Sequence, residues 1–130
     1  MTTSHTFAGL LLEHVRDRAH RPALREKTLG IWRTFTWAEV YENVQKLAHG
    51  LICLGVAKGD HVGVIGENRP ELYMGMMAAQ ALGAIPVPQH PDTKFPIHDR
   101  GTSYQAVSRY FQHGATRVNI VRATENSSQR

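Results

Sequence analysis

The chain has 130 residues, enough for one domain that buries roughly two-thirds of its unfolded surface. Its 42% hydrophobic content excludes an intrinsically disordered class, and 15 Lys+Arg against 11 Asp+Glu give a net charge of +4, which is ordinary for a soluble domain. Cys53 is the single cysteine, so no intramolecular disulfide forms and a reducing, cytoplasmic setting fits; the opening MTTSHTF lacks the basic and apolar regions of a signal peptide, and no apolar run reaches the ~20 residues of a spanning helix, so membrane contact is expected to be peripheral at most.

In chain order, Thr6 is placed to cap a first helix whose Leu11, Leu12 and Val15 form an apolar stripe, with Arg16, Asp17 and Arg18 towards water. Pro22 closes that segment. ALREK and GIWRTFTW then read as two strands around Thr28-Leu29-Gly30, with Gly30 supplying the positive φ of a three-residue hairpin loop. Thr36-Trp37-Ala38-Glu39 is a capping box, and Phe35 and Val40 stand at the hydrophobic-staple positions. Val40, Val44, Leu47, Leu51 and Leu54 make one apolar face of the helix that follows, Glu42 and Lys46 form an i,i+4 pair, and Gly55 stops it. Cys53 lies beside that face and is expected to be buried and inert.

The stretch from Gly59 to Pro88, GDHVGVIGENRPELYMGMMAAQALGAIPVP, reads as strand, tight turn, helix, strand. HVGVIG is apolar enough for both faces of a strand to be covered, as in a parallel sheet. Asn68 is the expected cap of the helix, and Pro70 fits its first turn, where no backbone N–H is needed. Leu72, Met76, Ala79 and Leu82 recur at helical spacing, and Gly83 marks the stop. Ala84–Val87 is the next strand, parallel to the first, and Pro86 and Pro88 place it near an edge.

These thirty residues, together with TWAEVYENVQKLAHGLICLGVAKGD before them, resemble the N-terminal region of the adenylate-forming (AMP-binding) acyl-CoA synthetases, closest to the long-chain fatty-acid CoA ligases. The resemblance runs from about Phe7 to Pro88. It implies an α/β fold: part of the N-terminal domain of such an enzyme, with helices packed on a small mixed sheet around a βαβ core. It implies a parent activity in which a fatty acid and ATP give an acyl adenylate and pyrophosphate, and coenzyme A then takes the acyl group. ATP, magnesium and coenzyme A are thus implied for the full-length family, and none of them is assigned to residues of this chain.

After Pro88 the character changes, and residues 89–130 are read as a divergent or frame-altered tail, distinct from the family-like 1–88. Six Lys+Arg stand against three Asp+Glu from Gln89 onward, compared with nine against eight before it. A long polar loop broken by Pro91 and Pro96 leads to a possible helix over 103–112, with Tyr104, Val107 and Phe111 on one face, and then to a strand over 116–123.

Few residues offer chemistry. The first step of the parent reaction needs donors and cations at phosphate oxygens. The family supplies them with a Ser/Thr/Gly-rich loop followed by lysine, and the 130 residues contain no such run. No catalytic, cofactor-binding or metal-binding residue is therefore assigned, and the chain by itself is expected to be inactive. Gly63-Val-Ile-Gly66 lacks dinucleotide spacing and reads as a small-residue exit from a strand. His90, Asp92, His98 and Asp99 are zinc ligands by type, but a solvated loop is the plainer reading. Met74, Met76 and Met77 suit an acyl tunnel by adaptability and a packed core more simply. Arg109, Tyr110 and Phe111 are the one hint of nucleic-acid binding, which is not expected. The rival to an enzyme fragment is a stand-alone interaction module that meets a full-length synthetase, or a membrane through the basic C-terminal part. Oligomeric state is left open.

Overall fold

A computed structural model describes residues 6–89, 102–113 and 116–125. Helix α1 (Phe7–Arg18) is followed by a hairpin of β1 (Pro22–Thr28) and β2 (Ile31–Thr36), then helix α2 (Trp37–Cys53). Strand β3 (His61–Ile65), helix α3 (Pro70–Ala81) and strand β4 (Ile85–Gln89) come next, and β5 (Thr102–His113) and β6 (Thr116–Glu125) follow. The second sheet has the order β4-β3-β6-β5, with β3 parallel to β4 and antiparallel to β6. The expected α/β class, with helices on a small mixed sheet around a βαβ core, is the fold observed.

Local chemistry explains the helix starts. Thr6 Oγ1 accepts from the Gly9 amide at 3.1 Å, which caps α1. The capping box of α2 is complete: Thr36 Oγ1 accepts from the Glu39 amide at 3.3 Å, and the Thr36 amide donates to Glu39 Oε2 at 2.8 Å. Val40, Val44, Leu47 and Leu51 are buried along one face of α2, each about one turn from the next. Cys53 is exposed, against expectation, because it stands about 200° around the helix from Leu51. In α1 only Leu11 of the expected stripe is buried; Val15 is half-buried against the core and Leu12 faces out.

The N-cap of α3 is Arg69, not Asn68, and no side chain caps it; Pro70 occupies the first turn as expected. Asn68 Oδ1 instead accepts from the Tyr73 hydroxyl. The buried side of α3 is also rotated from the expected one. Glu71, Met74, Gly75, Ala78 and Ala79 face inward, while Leu72, Met76 and Leu82 are half-buried at its border. The helix is apolar nearly all round, so periodicity does not choose a face. The small residues Gly75, Ala78 and Ala79 do, because they let the backbone approach its neighbours closely.

Strand β3 is the centre of the core. Val62 and Val64 are fully buried, and Ile65 is nearly so. Gly63 pairs with Val87 of β4 on one side and Val121 of β6 on the other. The end of α3 and the 54–60 connection are stitched together before β4 begins. The Gly59 amide donates to the Gly83 carbonyl at 2.9 Å and the Ile85 amide to the Asp60 carbonyl at 2.8 Å. Gly83 adopts φ +73, and a Cβ there would stand 3.0 Å from Lys58 Cγ. β4 is an outer strand of its sheet, where its two prolines are tolerated.

Two expectations fail for the same reason, a ladder that local pattern does not reveal. The segment expected to be a helix over 103–112 is strand β5, paired with β6 down to His113↔Thr116. Its Tyr104, Val107, Tyr110 and Phe111 are strand formers once a partner is present. The segment 116–123 lies within β6. The first hairpin turns on two residues, not three: Thr28 pairs with Ile31, leaving Leu29 at φ +51 and Gly30 at φ +80. Both signs fit a type I′ turn, in which Asn-Gly is favoured and leucine is strained. The loop read at 89–101 lies, from residue 90 on, outside the described residues.

Two outcomes follow for stability. Replacing Thr36 by Ala removes an oxygen cap and is expected to cost about 1 kcal/mol in urea denaturation. Replacing Leu29 by Asn recreates the favoured turn pair and is expected to raise stability by about 1 kcal/mol; a fall in the urea midpoint would contradict the turn geometry.

Candidate functional site

In an open α/β sheet, ligands gather beyond the carboxyl ends of parallel strands. The corresponding place here is the turn Gly66–Arg69 between β3 and α3. An anion there would look to the first amides of α3. Pro70 removes one of them, and Glu71 sets a carboxylate in the same turn. The turn is therefore unsuited to a phosphate, and Gly63 and Gly66 serve as close-packed backbone at the strand and its exit.

Glu71 is the one buried charged residue among the described side chains. Its side chain is 8% exposed, and Oε1 stands 3.8 Å from Arg33 Nη1. Oε2 is buried with no hydrogen-bond partner among the described residues. The same Arg33 nitrogen stands 3.7 Å from Glu26 Oε1, and the guanidinium lies 4.3 Å from the centroid of the Phe35 ring. One cation is thus shared by two carboxylates at distances beyond hydrogen bonding, and it ties the first hairpin to the start of α3. These groups border a groove of about 250 Å³ whose rim carries Glu39, Glu42, Asn43 and Lys46. Lys46 Nζ donates to Glu42 Oε1 at 2.7 Å, and this bond, with the lysine's charge, holds the Glu42 carboxyl below its usual range.

A second groove, about 340 Å³, is apolar and runs between Phe7, Leu24, Trp37, Tyr73, Met76 and Met77. The three methionines therefore divide: Met74 is a core residue, and Met76 and Met77 line this groove. His90, Asp92, His98 and Asp99 lie outside the described residues, and among the described ones no group of three or more His, Cys, Asp or Glu side chains is placed to hold a metal ion. Arg109, Tyr110 and Phe111 stand in strand β5. Among the described residues no helix is long and apolar enough to cross a membrane.

The sequence reading missed the Arg33–Glu71 contact. A signal was present, since Glu71 shares i, i+3, i+4 and i+7 spacing with Met74, Gly75 and Ala78. An acid on an apolar helical face implies a cation brought by another element.

Comparison with known proteins assigns the class. A family profile described as AMP-binding enzyme matches residues 11–125, so the chain belongs to the AMP-binding, adenylate-forming family. The long-chain-fatty-acid–CoA ligase of Mycobacterium tuberculosis is 34% identical over 83 residues, covering 64% of this chain and 14% of the ligase. The acetyl-coenzyme A synthetase of Methanothrix thermoacetophila is 42% identical over 57 residues, covering 44% of this chain and 9% of the synthetase. Among solved structures, the N-terminal subdomain of Klebsiella oxytoca NpsA superposes with a TM-score of 0.61 at 29% identity, covering 68% of this chain and 22% of that one. The chain thus spans a small part of the relatives it matches, 14% of the ligase and 9% of the synthetase.

The shared cation gives a test. Arg33→Ala is expected to destabilise by about 1–3 kcal/mol, because it leaves a buried carboxylate uncompensated. Glu71→Gln is expected to cost less, and adding it to Arg33→Ala to restore part of the loss. A double-mutant cycle in urea that shows simple additivity would mean the pair does not couple.

Proposed function

We propose that these residues are the N-terminal portion of an ATP-dependent acid–CoA ligase whose acid is a long-chain fatty acid. The overall reaction joins acid, ATP and coenzyme A to give acyl-CoA, AMP and pyrophosphate. The observation that carries the reading is the strand–turn–helix–strand unit of Gly59–Pro88, which folds as β3–α3–β4 within a family match that reaches from residue 11 to 125. The long-chain ligase match supports the choice of acid. The reading keeps 1–88 as the family-like portion and 89–130 as a divergent or frame-altered tail.

The role of this portion in catalysis is architectural. It supplies strands of the sheet and helices packed on them, and no group that would meet ATP is assigned among the described residues. Magnesium, ATP and coenzyme A would be held by other parts of a full-length enzyme. A reducing, cytoplasmic setting fits the exposed Cys53 thiol.

Two measurements test this. The purified 130-residue chain is expected to show no fatty-acid-dependent ATP–pyrophosphate exchange, and measurable exchange would overturn the architectural role. A chimaera in which residues 7–88 replace the matching stretch of the M. tuberculosis ligase is expected to keep exchange with long-chain acids; a folded chimaera without exchange would count against the family portion as drawn.

A further inference from the structure

The tip of the first hairpin carries surface that the fold does not explain. Leu29 is 96% exposed and holds φ +51 in a turn position that favours asparagine, aspartate or glycine. A leucine there is costly twice, through backbone strain and through apolar surface left in water. Strain held at an exposed position points to a role for the side chain that imposes it. Ile31 and Trp32, next in sequence, are 73% and 59% exposed.

The charges around this tip have one sign on one face. Lys27 pairs with Trp32 and Arg25 with Thr34, so Arg25, Lys27 and Trp32 share a face of the hairpin. The Arg25 guanidinium lies 5.2 Å and the Lys27 ammonium 5.9 Å from the centroid of the Trp32 ring. The neighbouring acid, Glu26, belongs to the opposite face and stands by Arg33 at 3.7 Å. The result is an apolar point, an aromatic collar and two cations beside it.

We infer that this hairpin tip docks the protein on the surface of an anionic lipid bilayer. Leu29 and Ile31 enter the boundary between headgroups and acyl chains. Trp32 sits at headgroup level, where its amphipathic ring is best accommodated, and Arg25 and Lys27 meet anionic headgroups. Charge complementarity selects the anionic surface. The apolar point selects a bilayer over a nucleic acid, since Leu29 and Ile31 have nothing to offer a phosphate backbone. The inference does not use the ligase reading, since it rests on exposure, backbone geometry and charge at the hairpin tip.

The test is sedimentation of the full chain with vesicles of phosphatidylcholine alone or mixed with phosphatidylglycerol, at low and raised salt. The chain is expected to sediment with the mixed vesicles, to be released by salt and to bind phosphatidylcholine weakly. Leu29→Asn, which suits the turn and keeps the fold, is expected to weaken binding by at least about tenfold through loss of the inserted side chain. Arg25→Glu with Lys27→Glu is expected to abolish the preference for phosphatidylglycerol. Failure to sediment with either vesicle overturns the proposal, and so does unchanged binding by Leu29→Asn with an intact thermal melt. Retention of a random-sequence duplex DNA without vesicle binding also overturns it, and would assign the basic, aromatic face to nucleic acid.

Discussion

From Val62 to Ile65, strand β3 is buried and paired on both edges, and the rest of the described fold follows from satisfying it. Val62 and Val64 need apolar cover on one side of the sheet and Ile65 on the other, and every backbone amide and carbonyl of a buried strand needs a partner. β4 supplies one ladder in parallel and β6 the other in antiparallel. A parallel neighbour requires a crossover, and α3 provides it with a length that brings the chain back to Ile85 beside His61. The helical cover is then drawn from α2, whose Val40–Leu51 face joins the same core cluster as β3.

What could be read beforehand was whatever one short segment decides by itself. The capping box at Thr36 is such a case, since both of its partners lie within one helical turn and no distant group competes. The double burial of β3 was legible from its unbroken apolar run, and the outer position of β4 from its prolines. The failures share a different cause. The face of α3 is chosen by the elements packed on it, and a helix apolar all round records no preference. Strand β5 depends on β6, so its aromatic and β-branched residues look equally like a helical face until the partner is known. The strained Leu29 turn follows from hairpin register, and the Arg33–Glu71 contact joins residues far apart in sequence. Cys53 is the exception: helical geometry alone puts it opposite Leu51, so its exposure was open to derivation.

The same physics shapes the turn that follows β3. The natural ligand position of an open sheet is present at the end of β3, yet Pro70 and Glu71 make it hostile to phosphate. The carboxylate is committed to structure, where Arg33 draws the hairpin on to α3. Among the described residues, the conspicuous groups hold the fold in shape or face outward.

The prolines of β4 have an effect that reaches beyond their own ladder. The Ile85 amide points toward β3, where it meets the Asp60 carbonyl. Alternation along the strand then sends the nitrogens of Pro86 and Pro88 the opposite way, and neither bears a hydrogen. The outer border of the sheet is therefore missing donors at two alternate positions. A stray strand arriving there finds acceptors with no matching donors and cannot zip up. Colloidal behaviour is thereby written into the covalent chain: assembly by sheet extension is disfavoured on this flank, at no expense to the buried strand beside it.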